Sequence, residues 1–416
     1  MTSDLSAHFP RYTAFAPLVP VWCATPETGR TIHRFFDSSP FSPSGRYLAL
    51  TRLPFEDRLP QPGDVAEVVQ VDLETGEERV IAETRGWDMQ LGAQVQGGAD
   101  DIQLFFNDMD TQTWQPFGVQ LDPFSGARKN LQGTVYMVSP DGTRAASPCL
   151  LRTSLTQAGY GVIVPSDHIP LNHGASPEDG VFVTNTSTGK CTLLVSLREI
   201  VETATPPLDP DEYKDGDFYG FHVKWNPQGD RLLFVLRWKP RDPDVRMKHN
   251  VITMKADGSE LHVAIPDSEW SKRGHHPNWC PDGETVMMNL NIHGEGLRFV
   301  KARYDGSGYG IMTDAVFGSG HPTLHPNGRH IVTDAYPKEP VAFGDGTTPI
   351  RLIALDTGEE KTLVRIQVEP PFRGPKGELR VDPHPAWDHE FRRIAFNACP
   401  NGTRGVYVAD LTEVLQ

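Results

Sequence analysis

One pattern recurs along the whole chain: an apolar residue, a short turn built on Pro, Gly, Asp or Asn, and then a β-rich run. Clear copies are "SPFSPSGRYLALTR" (39–52), "VYMVSPDGTRAASP" (135–148), "FHVKWNPQGDRLLFVLRW" (221–238), "HHPNWCPDGETVMMNLN" (275–291), "GHPTLHPNGRHIVTDAY" (320–336) and "DPHPAWDHEFRRIAFNA" (382–398). A weaker copy, "AQVQGGADDIQLFFND" (93–108), fills the gap between the first two and makes seven. Between the copies lies a second unit, a strand–turn–strand such as "VVQVDLETGEERVI" (68–81) or "VITMKADGSELHVAI" (251–265). Each full repeat is therefore two hairpins, or four antiparallel strands, which is one blade of a β-propeller.

The fold class expected is all-β, a single seven-bladed propeller over 1–416. Two packed β-sandwiches are the alternative, which the explicit repeat disfavours. The last repeat ends in "GVYVADLTEVLQ" (405–416) without a fourth strand. The orphan run "TGRTIHRFF" (28–36) is expected to complete that blade, closing the ring and removing two open edges. The longest interruption, 150–181, reads as a loop insertion. Helical periodicity is confined to a short stretch near "LLVSLREIVE" (193–202), consistent with 38 glycines and 36 prolines.

Net charge is −15, which argues against a nucleic-acid backbone as partner. A polyanionic sugar requires basic residues to cluster locally. The start "MTSDLSAHFPRYTAFAPLVPVW" has no basic segment followed by an apolar run, so no signal peptide is read, and no stretch is apolar enough to span a membrane. Five cysteines without CxxC spacing suit reduced structural thiols, and a cytoplasmic location is expected.

In a propeller the innermost strand of each blade begins at the mouth of the central channel. Aligned on the apolar anchors Phe41, Gly97, Val138, Trp225, Trp279, Leu324 and Trp387, the residue three positions earlier is Ser38, Gln94, Val135, His222, His276, His321 and His384. Four of the chain's 15 histidines thus share one slot. Histidine as a tolerated residue of a wet channel is the competing reading. Clustered imidazoles bind a divalent ion together with a carboxylate or amide oxygen, or serve as general base or acid. Asp382, two before His384, shares its side of the strand. His275, beside His276, points elsewhere by strand alternation. The ends of the second strands bring Arg52, Asn107, Arg152, Arg237, Trp238 and Tyr336 to the same rim. Long polar loops at 53–64, 238–250 and 336–349 surround it, as binding sites require.

The runs "FHVKWNPQGDRLLFVLRW", "GHPTLHPNGRHIVTDAYP" and "DPHPAWDHEFRRIAFNACPNGTRGVYVADL" resemble the oligogalacturonate-lyase-like group of TolB-type propellers. That group includes lyases acting on galacturonate oligomers and, in related branches, on rhamnosyl-glucuronate linkages. The resemblance implies a divalent metal ion, manganese or calcium, held by histidines of the channel, with a histidine or arginine near the scissile sugar. His321 and His384 match the metal-ligand positions, and His276 matches the slot of the base. Where those lyases carry a second histidine just before the His-Pro, this chain has Asp382, which favours a different sugar specificity.

β-Elimination from a 4-linked uronate removes the C5 proton next to a carboxylate that must be neutralised. The roles that follow are His276 or His222 as base and Arg237 or Arg152 as carboxylate partner. His321, His384, Asp382 and Gln94 would hold the ion; His275, Arg52, Asn107, Tyr336 and Trp238 would contact an acidic oligosaccharide. Three other functions compete: a non-catalytic scaffold, the propeller gate of a prolyl-peptidase-like hydrolase, and a metal-dependent epimerase or lactonase. The hydrolase needs a nucleophile elbow for which the seven repeats leave no residues.

Overall fold

In the computed structural model, which describes residues 5–375 and 377–415, seven four-stranded antiparallel sheets form the expected propeller. Their innermost strands are Thr31–Ile32, Gln96–Gly97, Met137–Val138, Gly216–Trp225, Gly274–Trp279, Thr323–Leu324 and Ala386–Trp387. The anchors keep one register throughout. Phe41, Gly97, Val138, Trp225, Trp279, Leu324 and Trp387 pair with Leu48, Leu104, Ala145, Leu232, Val286, Ile331 and Ile394 on the second strands. The turn between them is thus the same length in every blade, which is why the repeat is visible in sequence. No helix among the described residues is long and apolar enough to cross a membrane.

An N-terminal strand closes the last blade as expected, but it is a different segment. The strand that completes the last blade is Val21–Cys23, paired with Tyr407–Ala409. The run 28–36 instead opens the first blade, with Thr31 opposite Arg52 and Ile32 opposite Thr51. An outermost strand has one wet face, yet every residue from Thr31 to Phe36 is buried. Only the channel side of a blade can cover both faces of such a run.

The periodicity near 193–202 splits between the strand Cys191–Ser196 and the helix Leu197–Thr203. The Ser196 hydroxyl accepts the Glu199 N–H at 3.0 Å, so a capping interaction ends the strand and starts the helix.

Three residues beyond each second-strand partner lies a polar clamp in five of the blades: Thr51, Asn107, Asn289, Asp334 and Asn397. Thr51 Oγ1 accepts the Ala93 N–H at 3.0 Å, and Asn107 both donates to Val135 O (2.8 Å) and accepts from Val135 N (2.7 Å). Asn289 donates to Ser319 O and Gly320 O, and Asn397 Oδ1 accepts from His33 N. Each clamp therefore holds the innermost strand of the following blade and satisfies backbone groups that face the channel. This corrects the reading of Asn107 as a sugar contact: it is buried and committed to the seam between two blades.

Candidate active site

The histidine slot is a bulge. In the fourth and fifth blades the innermost strand gains one residue on its neighbour, at Phe221–His222 and at His276–Pro277. His276, His384 and Gln94 lie in the left-handed region, with φ of 61°, 52° and 59°. A bulge turns side chains out of the pleat and into the channel. It also breaks strand alternation, so the expectation that His275 points away from His276 fails. Their rings are 4.4 Å apart between centroids, with the two Nδ1 atoms at 2.8 Å.

Three slot histidines come together. His276 stacks on His321 at 3.8 Å, and His384 meets His321 edge-on at 4.3 Å. His222 stands aside, stacked on Phe221 and Tyr136. Burial, helped by the neighbouring His321 and His275, holds His276 well below the usual imidazole range. Burial does the same for His384, with His321 beside it, and for His222, with Lys224 and Arg237 nearby. These rings are neutral at pH 7 and carry lone pairs.

His321, His384 and Asp382 present ligand atoms that all lie within 4.8 Å of one another. Asp334 takes the His321 Nδ1–H, with its oxygens 3.0 and 2.9 Å away. That bond leaves the lone pair on His321 Nε2, which is buried and has no partner among the described residues. Both ring nitrogens of His384 are equally without one. Two buried imidazoles with uncommitted lone pairs, one of them oriented by the Asp334 carboxylate, and a second carboxylate, Asp382, beside them form a donor set that fits a divalent transition ion. The arrangement needs Gly320: its φ is +47°, and a Cβ there would lie 2.1 Å from Asp334 Oδ1. Gln94 is not gathered into this group, because its Oε1 accepts Arg34 Nε–H at 2.8 Å.

Beside the group opens a cavity of about 280 Å³, lined by Phe35, Gln157, Tyr160, His222, Arg237, Trp270, His275, His276, Tyr336 and Arg380 among others. His276 Nδ1 donates to Gly320 O at 2.7 Å. Its Nε2 therefore carries the lone pair and accepts from the Tyr336 hydroxyl at 3.3 Å. His275 Nδ1 accepts from Asn289 Nδ2 (3.3 Å), and its Nε2 faces Glu339 at 3.5 Å. Arg237 is buried, lies 3.4 Å over the Phe221 ring and bonds only to Thr156, at 3.2 Å; its Nε is unpartnered and no carboxylate pairs with it among the described residues. Burial pushes its pKa down to about 9, which still leaves it cationic at neutral pH.

Three other expected contacts lie elsewhere. Arg52 is consumed by Glu67 and Glu78, an ion pair on its own blade. Arg152 faces Asp179 at 3.4 Å and donates to Pro170 O, so it braces the insertion. Trp238 is buried in a core cluster between the third and fourth blades, where an indole gains more from apolar burial than a rim position offers. The sequence reading also passed over several residues at the site. Arg380 bonds Asp382 at 2.9 Å and Tyr160 OH at 3.0 Å. It lies two positions before Asp382, the same spacing that singled out Asp382 itself. Tyr160 comes from the 150–181 insertion, where no periodicity marks it.

That insertion is tied down by Asp88, whose buried carboxylate accepts N–H bonds from Gln90 (2.9 Å), Leu91 (2.7 Å) and Gly161 (2.8 Å). Burial outweighs these bonds and raises its pKa from 3.8 to about 7. The folded protein thus holds a proton that the unfolded chain has released, so this contribution to stability is full below about pH 4 and is lost as pH rises through about 7. The stability difference between the parent and Asp88→Asn should shrink or reverse over that range in urea titrations; a difference independent of pH would contradict it.

No family model matches the sequence, and no curated protein matches it in sequence. Solved structures do match in fold. An oligogalacturonate lyase in complex with manganese superposes with a TM-score of 0.66 at 15% identity, over 98% of this chain and 97% of that one. An oligogalacturonate lyase from Vibrio parahaemolyticus gives 0.65 at 14% identity, over 100% and 99%. A puromycin-hydrolyzing peptidase from Mycobacterium tuberculosis gives 0.52 at 13%, over 97% of this chain and 55% of that one. At these identities the likeness establishes the propeller and leaves function to the site.

Proposed function

We propose that this protein is a carbon–oxygen lyase that cleaves a 4-linked uronate in an acidic oligosaccharide by β-elimination. The observation that carries the reading is Arg237, a buried guanidinium with no carboxylate partner among the described residues, in one cavity with an imidazole whose lone pair is defined. An uncompensated buried cation is costly, and a substrate carboxylate is the partner that would satisfy it with two parallel bonds. Neutralising that carboxylate lowers the barrier to removing the C5 proton. His276 Nε2 takes the proton, the C4–O bond breaks and the C4–C5 double bond forms. Tyr336, whose phenol burial keeps protonated, donates to the departing oxygen and recovers its proton from His276 across their hydrogen bond.

His321, His384 and Asp382 would hold a divalent ion, and the nitrogen-rich set suits manganese better than calcium. When bound, the ion supplies positive charge for the carboxylate and the enolate it becomes. The likeness of fold to two oligogalacturonate lyases supports the same reaction class.

The test is ultraviolet absorbance of a 4,5-unsaturated uronate on incubation with oligogalacturonate and with a rhamnosyl-glucuronate glycan, with and without chelator. A rise on either establishes the lyase and names its sugar. Stoichiometric metal without a rise would point to another metalloenzyme, and neither metal nor a rise would leave the propeller as a scaffold.

A further inference from the structure

The first blade departs from its siblings inside the channel. Its innermost strand pairs at Ile32 with Thr51 and again at Phe41 with Leu48, so nine steps of chain lie opposite three. Where the fourth and fifth blades carry one extra residue, this one carries six. The excess folds into the channel as a plug. Arg34 binds Asp37 (2.5 Å), Ser38 (2.6 Å) and Gln94 (2.8 Å), and Asp37 meets Lys224 Nζ at 2.9 Å. All these groups except Ser38 are buried. Asp37 and Lys224 meet as an ion pair without hydrogen-bond geometry, so such a buried pair stabilises little, and the hydrogen bonds of Arg34 to Asp37, Ser38 and Gln94 hold the turn in place.

What this clamp fixes is Phe35. Its ring meets all four slot histidines edge-on, with centroid distances of 5.2 Å to His222, 6.1 Å to His276, 5.6 Å to His321 and 4.6 Å to His384. The interplanar angles run from 75° to 89°. Among the described residues, neither the His384 ring nor the His222 ring has a hydrogen-bond partner. For those two rings, packing against Phe35 takes the place of the oriented hydrogen bond that a buried imidazole ordinarily has. Phe35 also lines the cavity, so it is the floor on which substrate would rest.

We propose that Phe35 is a positioning residue of the site: held by the Arg34–Asp37–Lys224 clamp, its ring sets the orientation of the four imidazoles and bars water from beneath them. The proposal rests on the reading of His321, His384 and Asp382 as ligands and His276 as base. It adds that a residue without any polar atom governs their competence.

The test uses the full chain carrying Phe35→Ala and, to preserve volume without a ring, Phe35→Leu. Phe105→Leu, in a core cluster of the second and third blades, controls for lost stability. Manganese affinity by equilibrium dialysis should fall about 10-fold or more in Phe35→Ala, as it does when an orienting neighbour of a ligand is lost. It should fall less in Phe35→Leu and hold in the control. Where cleavage is measurable, kcat should fall in the same order with KM little changed. Acylation of histidines by diethyl pyrocarbonate, mapped by mass spectrometry, provides a second readout that needs neither metal nor activity. In the parent, exposed His8 and His173 and half-buried His276 react while buried His222, His321 and His384 are protected; in Phe35→Ala those three react as well. Unchanged acylation in both Phe35 variants would overturn the proposal, whatever the metal result. A parent that binds no manganese would instead remove the metal reading while the acylation map still decides the role of Phe35.

Discussion

In Arg237→Met, kcat/KM for the uronate substrate is expected to fall by about two to three orders of magnitude, the usual loss when one preorganised donor to a developing anion is removed. Stability is expected to hold or rise. The guanidinium is buried over Phe221 and beside Val235, and Thr156 is its one hydrogen-bonding neighbour among the described residues. A methionine of similar length keeps the apolar contact and removes an uncompensated charge. Opposite signs for activity and stability are the mark of a group retained for substrate. Steady-state kinetics and a urea titration on the same preparation check both. A clear loss of stability in Arg237→Met would mean that the guanidinium braces the fold through Thr156 instead.

The second large effect concerns the donor set. A ligand that binds only the folded state adds about 2.7 kcal/mol at a free concentration one hundred times its Kd. Manganese should therefore raise the melting temperature of the parent. His384→Ala removes one of two imidazoles in the group and should abolish that rise. Asp334→Asn keeps the shape of the residue but weakens the hold on His321 Nδ1, and should cost about 10- to 100-fold in manganese affinity. The two variants separate ligation from orientation: saturating metal should restore the melting shift in Asp334→Asn and leave His384→Ala without one. A shift retained in His384→Ala would move the ion elsewhere.

Both predictions concern residues whose positions were visible in the sequence to different degrees. The slot that contains His222, His276, His321 and His384 was legible because each turn between the first and second strands has the same length, so chain position translates directly into place around the channel. Asp382 followed from period-two spacing. The rim arginines were not separable in this way. Arg52, Arg152 and Arg237 read alike in the sequence as ends of second strands, yet Glu67 and Glu78 claim the first, the second lies beyond its strand facing Asp179, and no described carboxylate pairs with the third. Whether an arginine is free depends on acids brought near it by other strands, which no local spacing encodes.

The sequence by itself determined the seven blades, the anchors that set their register and the ring of histidines, because each is a short-range pattern repeated along the chain. Tertiary structure alone decided the rest. The run "TGRTIHRFF" (28–36) reads as an outermost strand, but burial of every residue from Thr31 to Phe36 puts it on the channel side of the first blade, where it leads into the plug beneath the site. Bulges at the slot rotate His275 against His276, where an unbroken pleat would part them. Asp334, one of five clamps between blades, becomes the partner of His321 only because Gly320 lets the two chains close to contact. Each of these outcomes depends on atoms far apart in sequence filling one small space, and a one-dimensional pattern carries no record of that competition.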